Sequence, residues 1–415
     1  MRILFLDWPC FGKVDTQFTL EQAGHEFVPF FHLDYQERES TAFDDAFTQF
    51  IGDTHYDCCF SFNYFPVVSN NCQKLGIKYI SVIYDSPYLM LYSYTLVNPV
   101  NYVFMFDKQE YLRLKNGGIS TVYYTPLPCN SDIIDFLLQK PYDREKLSAD
   151  VSFVGSLYNE DHNFFDRLTT INDYTRGYLD AIMEAQLKVY GYNFIEELLT
   201  PDILSELQRA VPYEQNGSGV ESPTYVYANY FIDRKLTSIE RQRLLTAVAR
   251  YVPLKLYTLD PKVILPNVTN MGPVDYYSEM PYVFANSKIN LNISLRSIQS
   301  GIPLRAMDIL GAGGFLLTNF QSDFLDCFIP DEDFVYFDSE EDLCEKVQYY
   351  LSHDSIRREI AHNGHEKVRQ NHSFEKFFVH IFSHKIKEQK KNRKSGSFFV
   401  LQTTEVMIIH PDCSG

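Results

Sequence analysis

Short apolar runs, each followed by a stretch with helical spacing, recur along this chain, and that alternation most restricts the fold it can adopt. Residues 3–7 (ILFLD) open the series, and runs at 26–31, 57–62, 78–84, 101–106 and 121–124 continue it. A run without polar alternation suits a strand covered on both faces, as in a parallel sheet. Strand, helix and strand in series close by right-handed crossovers into a doubly wound α/β sheet. A second series starts at Val151 (VSFVGS) and passes through 254–258, 289–293, 315–319 and 334–337. At 415 residues the chain exceeds one core of usual size, so two such units are expected. The weakly periodic, turn-rich stretch 126–150 reads as the connection between them. This places one domain at 1–148 and the next at 149–372.

Ligands of doubly wound sheets lie beyond the carboxyl ends of the strands, so polar residues at strand ends are the first candidates. The stretch 290–319 is the richest. A strand ends in a polar loop, a helix opens at Pro303, glycines at Gly311, Gly313 and Gly314 stop it, and another strand begins at Phe315. Proline is favoured in a first helical turn. Ile302 has no capping side chain, which leaves the amides of Leu304 and Arg305 without a local partner. Such amides at the positive end of a helix dipole suit an anion. Arg296 and Arg305 add guanidinium groups that match phosphate oxygens, and Asp308 lies one turn further on the Arg305 face. A diphosphate with its ribose fits this set; an ordinary Arg/Asp ion pair beside a helix end fits the same residues.

Gly12 and Asp15 follow the first strand, and Asp85, Ser86 and Pro87 follow the fourth. Glycine lets a backbone approach a ligand, and an aspartate at a strand end can take a proton or hold a hydroxyl. Asp15 and Ser86 read equally well as helix caps. In the second half, Gly155 and Ser156 end the first strand, and Gly272 shares a loop with Tyr276 and Tyr277. An aromatic ring there stacks on a nucleobase or packs in the core. His25, in AGHEF, reads as a turn residue.

Composition removes other classes. A formal net charge of −17 opposes nucleic-acid binding, which draws its affinity from cationic side chains. It also opposes whole-body binding to an anionic membrane, although the basic run 385–394 (KIKEQKKNRK) leaves peripheral contact open. No long apolar run suggests stable membrane insertion. The eight cysteines show no Cys-x-x-Cys spacing, which fits reduced thiols in a cytoplasmic protein and argues against a structural zinc. His362 and His365 sit among Arg and Glu, as on a solvated helix face. No metal site is expected.

The run 300–319 resembles the carboxy-terminal nucleotide-sugar domain of group-1, family-4-like glycosyltransferases of the GT-B fold. LNISLRSIQSGIPLRAMDILGAGGFLLTN, with DVSFVGSLYNE, YDSP and MGPVDYYSEMP, is more specifically similar to bacterial CgeB-like, spore-maturation type glycosyltransferases. The resemblance implies two Rossmann-like domains facing a central cleft. It also implies a helix at 373–394 returning to the first domain, ahead of a tail at 395–415. By the same resemblance Asp308 holds the ribose, and Ser300, Gly301 and Leu304 present amides to the diphosphate and sugar. Ser300 stands where relatives carry an acidic residue, and Ser156 where they often carry Arg; Arg296 and Arg305 are the candidates to supply the missing positive charge. The implied reaction moves a sugar from a nucleotide diphosphate donor, the co-substrate, to a glycan, lipid-linked or protein hydroxyl, with retention and without metal or other cofactor. Asp85, Asp15 and Arg305 are the catalytic candidates. A non-catalytic nucleotide- or sugar-binding surface-assembly protein and a nucleotide-sugar epimerase are the competing readings. The sequence leaves the oligomeric state open.

Overall fold

The computed structural model describes residues 1–159 and 163–383. Two parallel sheets form its frame. The first contains β1 (Arg2–Leu6), β2 (Glu26–Phe30), β3 (Cys58–Phe62), β4 (Tyr79–Ile83), β5 (Asn101–Met105) and β6 (Val122–Tyr124), in the order β2-β1-β3-β4-β5-β6. The second contains β7 (Val151–Val154), β8 (Leu254–Tyr257), β9 (Val268–Asn270), β10 (Ile289–Asn292), β11 (Leu316–Asn319) and β12 (Val335–Phe337), in the order β12-β11-β10-β7-β8-β9. Every residue of β3, β4, β7, β10 and β11 is buried, as continuous apolar runs require when helices cover both faces. Strand order reverses between β1 and β3 in one sheet and between β7 and β10 in the other. Both reversals open their strand ends toward the seam between the halves.

Four features depart from the sequence expectation or were not foreseen. Strand β9 is a three-residue edge (VTN) paired to β8; it has no apolar run to betray it. The helix after β10 spans Leu304–Gly311, and Pro303 is its extended N-cap rather than its first helical residue. The helix before β8 spans Asp233–Ala249 and is entered through a π-helical turn at Tyr227–Ile232 that the sequence pattern does not mark. Finally, the segment between β7 and β8 builds a helical insertion with a core of its own, including Leu168, Leu179, Ile195, Leu207, Tyr227 and Leu236.

The insertion belongs to the second half by sequence but docks on the first. Tyr225 packs on Tyr92 with ring centroids 4.4 Å apart. Arg38 and Glu221 pair at 2.9 Å with 5% and 1% of their side chains exposed, and Arg113 meets Glu196 at 3.0 Å nearer the surface. The helix at 374–383 returns to the first sheet: Phe374, Phe377, Phe378, Ile381 and Phe382 join its core, with Phe378 5.7 Å from Phe60. The rest of the expected 373–394 helix, the basic run and the 395–415 tail lie outside the described residues. One apolar cluster links Phe60 and Phe106 of the first half with Ile302, Ala306 and Leu310 of the second.

Candidate functional site

Two cavities lie along the seam, at the carboxyl ends of the strands where each sheet reverses. The larger, about 460 Å³, is lined by Tyr84, Asp85 and Tyr88 after β4, by Tyr158 after β7, by Tyr230, Arg234 and Arg241, and by Pro303 and Arg305. The smaller, about 50 Å³, is lined by Phe11, Gly12 and Asp15 after β1, and by Asn130, Tyr276, Tyr277, Leu304 and Asp308 among others. Tyr84 borders both. A single helix, Leu304–Gly311, therefore sends Arg305 to one cavity and Asp308 to the other.

The larger cavity holds three guanidinium groups. Phe153 lies beneath Arg305 and Arg241, 5.0 and 5.3 Å from their Cζ atoms, and a ring face stabilises a cation there. Arg241 donates to the carbonyls of Ile293 and Ser156. Arg234 lies over Tyr230 and Tyr158, at 5.3 and 5.8 Å. Nη1 of Arg305 and Nε of Arg234 are buried without a hydrogen-bond partner among the described residues. A buried donor left unpaired costs about 1–3 kcal/mol, and an anion in the cavity would relieve that cost. Burial, and then the charge of Arg241, pull the Arg305 pKa down to about 9. Gly155 makes the arrangement possible: its φ is +149°, and a Cβ would come within 3.2 Å of the Arg305 guanidinium carbon.

Asp85 faces these cations from the first half. Asn63 donates to its carboxylate at 2.7 Å. Burial raises the Asp85 pKa, against the hydrogen bond from Asn63 and the charge of Arg234. A carboxylate so placed can orient a hydroxyl or take its proton.

The smaller cavity is chemically different. Tyr276 donates to Asp308 at 3.3 Å and packs on Phe11 with centroids 4.6 Å apart. The Gly12 amide donates to the Tyr277 hydroxyl at 3.1 Å, across the seam. Asn130 donates to Asp15 at 3.1 Å. Burial pushes Asp308 up to about 7, and the charge of Asp15 adds to the shift; burial raises Asp15 as well. These carboxyls sit near rings and glycine backbone, a setting suited to hydroxyls and a flat base rather than to phosphate.

Several sequence expectations need correction. Arg296 does not supply charge to the cleft: it is buried in a bidentate pair with Glu240 at 2.8 and 2.5 Å, bonds the Val189 carbonyl and lies 4.3 Å from the Tyr190 ring. Ser300 and Gly301 are sealed into the seam. The Ser300 amide and hydroxyl both donate to Asp107, and a Cβ on Gly301 would meet Phe106 at 2.7 Å. The turn around Gly301 is thus filled by the protein's own carboxylate and ring, not open to a diphosphate. Ser156 acts through its carbonyl on Arg241 and its Oγ on the Tyr158 amide. Gly272 adopts φ +76° and hydrogen-bonds Asn270; it borders neither cavity.

Sequence reasoning missed Arg234, Arg241, Tyr158 and Tyr230. One signal was available: Arg234 and Arg241 are seven residues apart, two turns on one helical face.

Residues 238–382, less than half of the chain, match a family model described as glycosyl transferase-like. No curated protein sequence matches the chain. Among solved structures it is similar to a sucrose-phosphate synthase from Thermosynechococcus elongatus, at 11% identity and a TM-score of 0.53, covering 96% of this chain and 100% of that one. It is also similar to an alpha-glucosyltransferase solved with UDP-glucose and DNA containing an abasic site, at 14% identity and a TM-score of 0.50, covering 92% of this chain and 99% of that one. The two facing parallel sheets have the GT-B architecture. No helix among the described residues is long and apolar enough to cross a membrane.

Proposed function

We propose that the chain is a glycosyltransferase that moves a sugar from a nucleotide diphosphate-sugar to a hydroxyl of a glycan, lipid-linked or protein acceptor. The observation that carries this reading is the division made by one helix, with Arg305 beside Arg234 and Arg241 in one cavity and Asp308 beside Tyr276 in the next. The arginines seat the diphosphate, and Asp308 takes the ribose with Tyr276 near the base. As the sugar–phosphate bond breaks, charge builds on the leaving diphosphate, and fixed guanidinium groups stabilise it without rearranging. Asp85 orients the acceptor hydroxyl. Attack on the face the diphosphate leaves lets a phosphate oxygen receive the hydroxyl proton, which gives retention without a metal. The glycosyl transferase-like match and the GT-B architecture support transfer chemistry, and the similarity of its motifs to CgeB-like enzymes is in keeping with it.

Thermal shifts with UDP, GDP, ADP and dTDP, each beside its nucleoside, test this reading, because a ligand of the native state raises its melting temperature by mass action. One diphosphate is expected to stabilise the protein more than its nucleoside does, and its sugar conjugates to be consumed. The absence of a shift with any diphosphate would reject the donor site.

A further inference from the structure

Asp107 ends the strand β5 region of the first half, yet its carboxylate organises a turn of the second. It accepts hydrogen bonds from the Gln299 amide at 2.6 Å, the Ser300 amide at 3.3 Å and the Ser300 hydroxyl at 3.0 Å. It also caps its own helix, Lys108–Asn116, through the Gln109 and Glu110 amides. Only 2% of the residue is exposed. The contact is reciprocal. Asp323 of the second half accepts from the Lys108 amide at 3.0 Å, and its own amide donates to the Ser300 carbonyl at 3.1 Å. The Gln109 amide donates to the Ser300 hydroxyl at 3.0 Å. Gly301 permits this closeness, since a Cβ there would lie 2.9 Å from Asp107 Cα.

The turn so held leads through Ile302 and Pro303 directly into Leu304–Gly311, the helix that carries Arg305 and Asp308. We infer that Asp107 is a positioning residue: from the opposite domain it fixes the 299–302 turn, so that the arginine seat takes its working geometry only where the two halves meet. Its carboxylate touches neither the diphosphate nor the sugar. Buried hydrogen bonds to a charged acceptor are among the stronger ones a protein makes, and a functional group is only as well placed as the shell that supports it. The inference rests on the diphosphate seat proposed above, but the hold on the turn can be measured without any ligand.

The test uses the full chain carrying Asp107→Asn, with Ser300→Ala as a second variant that leaves the helix cap in place. Hydrogen exchange at the Gln299 and Ser300 amides reports the hold, and titration with inorganic pyrophosphate reports the seat. We expect both amides of Asp107→Asn to exchange at least about tenfold faster, and pyrophosphate to bind about tenfold more weakly. Ser300→Ala should move both readouts in the same direction by less. Unchanged exchange at both amides would overturn the inference, as would faster exchange with full pyrophosphate affinity. If the wild-type chain fails to bind pyrophosphate, the diphosphate seat is rejected, and the exchange measurement decides separately whether Asp107 holds the turn.

Discussion

The two cavities on the seam share a wall and a helix but differ in volume by nearly an order of magnitude. The larger keeps about 460 Å³ open around three arginines, whereas the smaller leaves about 50 Å³ among two aspartates, three tyrosines and four phenylalanines. The difference follows from how each kind of charge tolerates burial. A carboxyl can take a proton and become neutral, so protein can pack over it; Asp308 and Asp15 have both been pushed in that direction. A guanidinium has no such escape at neutral pH; buried, it needs a carboxylate, as Arg296 has in Glu240, or a space open to water or an anion.

Four measurements would break or sharpen this contrast. Arg305→Ala should have the largest effect: nucleoside diphosphate affinity falls about a hundredfold while nucleoside affinity changes less than about threefold, read by calorimetric titration. Equal losses would mean that the cavities do not divide phosphate from nucleoside. Asp85→Asn should leave diphosphate affinity intact and lower transfer turnover about thirtyfold; full turnover would make Asp85 a scaffold residue.

Asp308→Asn tests the closed cavity through pH. The folded pKa of about 7 lies above the ordinary 3.8. Between these values the folded state keeps a proton that the unfolded state has released, so this group lowers stability as pH rises. The variant should match the wild type near pH 4 and exceed it by up to about 4 kcal/mol at pH 8, in urea unfolding. A constant difference across that range would remove Asp308 as the titrating group. Tyr276→Phe removes only the 3.3 Å bond to Asp308, and should cost no more than about 1 kcal/mol in the same assay.

The sheets were readable from the sequence because parallel strands buried on both faces leave uninterrupted apolar runs; β9, an edge with one neighbour, left none. The site was readable in part. Asp308 and Arg305 stood out because a short, uncapped helix follows a strand and glycines end it. Arg296 looked equivalent to Arg305 from its spacing alone. Its partner, Glu240, lies 56 residues away in sequence, and no local pattern indicates such a pair. Arg234 and Arg241 were hidden for the opposite reason, since a helix rich in Arg, Lys and Glu reads as a solvated face. Ser300 was likewise misread from its place in the motif, because the Asp107 carboxylate that seals it comes from the other half.

The helical insertion bears on how this molecule can be dissected. Cutting the backbone near residue 148 would leave each sheet whole, but it would strand Glu221 on one fragment and Arg38 on the other, each taken from a site where almost no water reaches it. Removing one partner of such a pair is far more damaging than never having had it. A two-plasmid version of this protein should recover a native seam only when both pieces are made together.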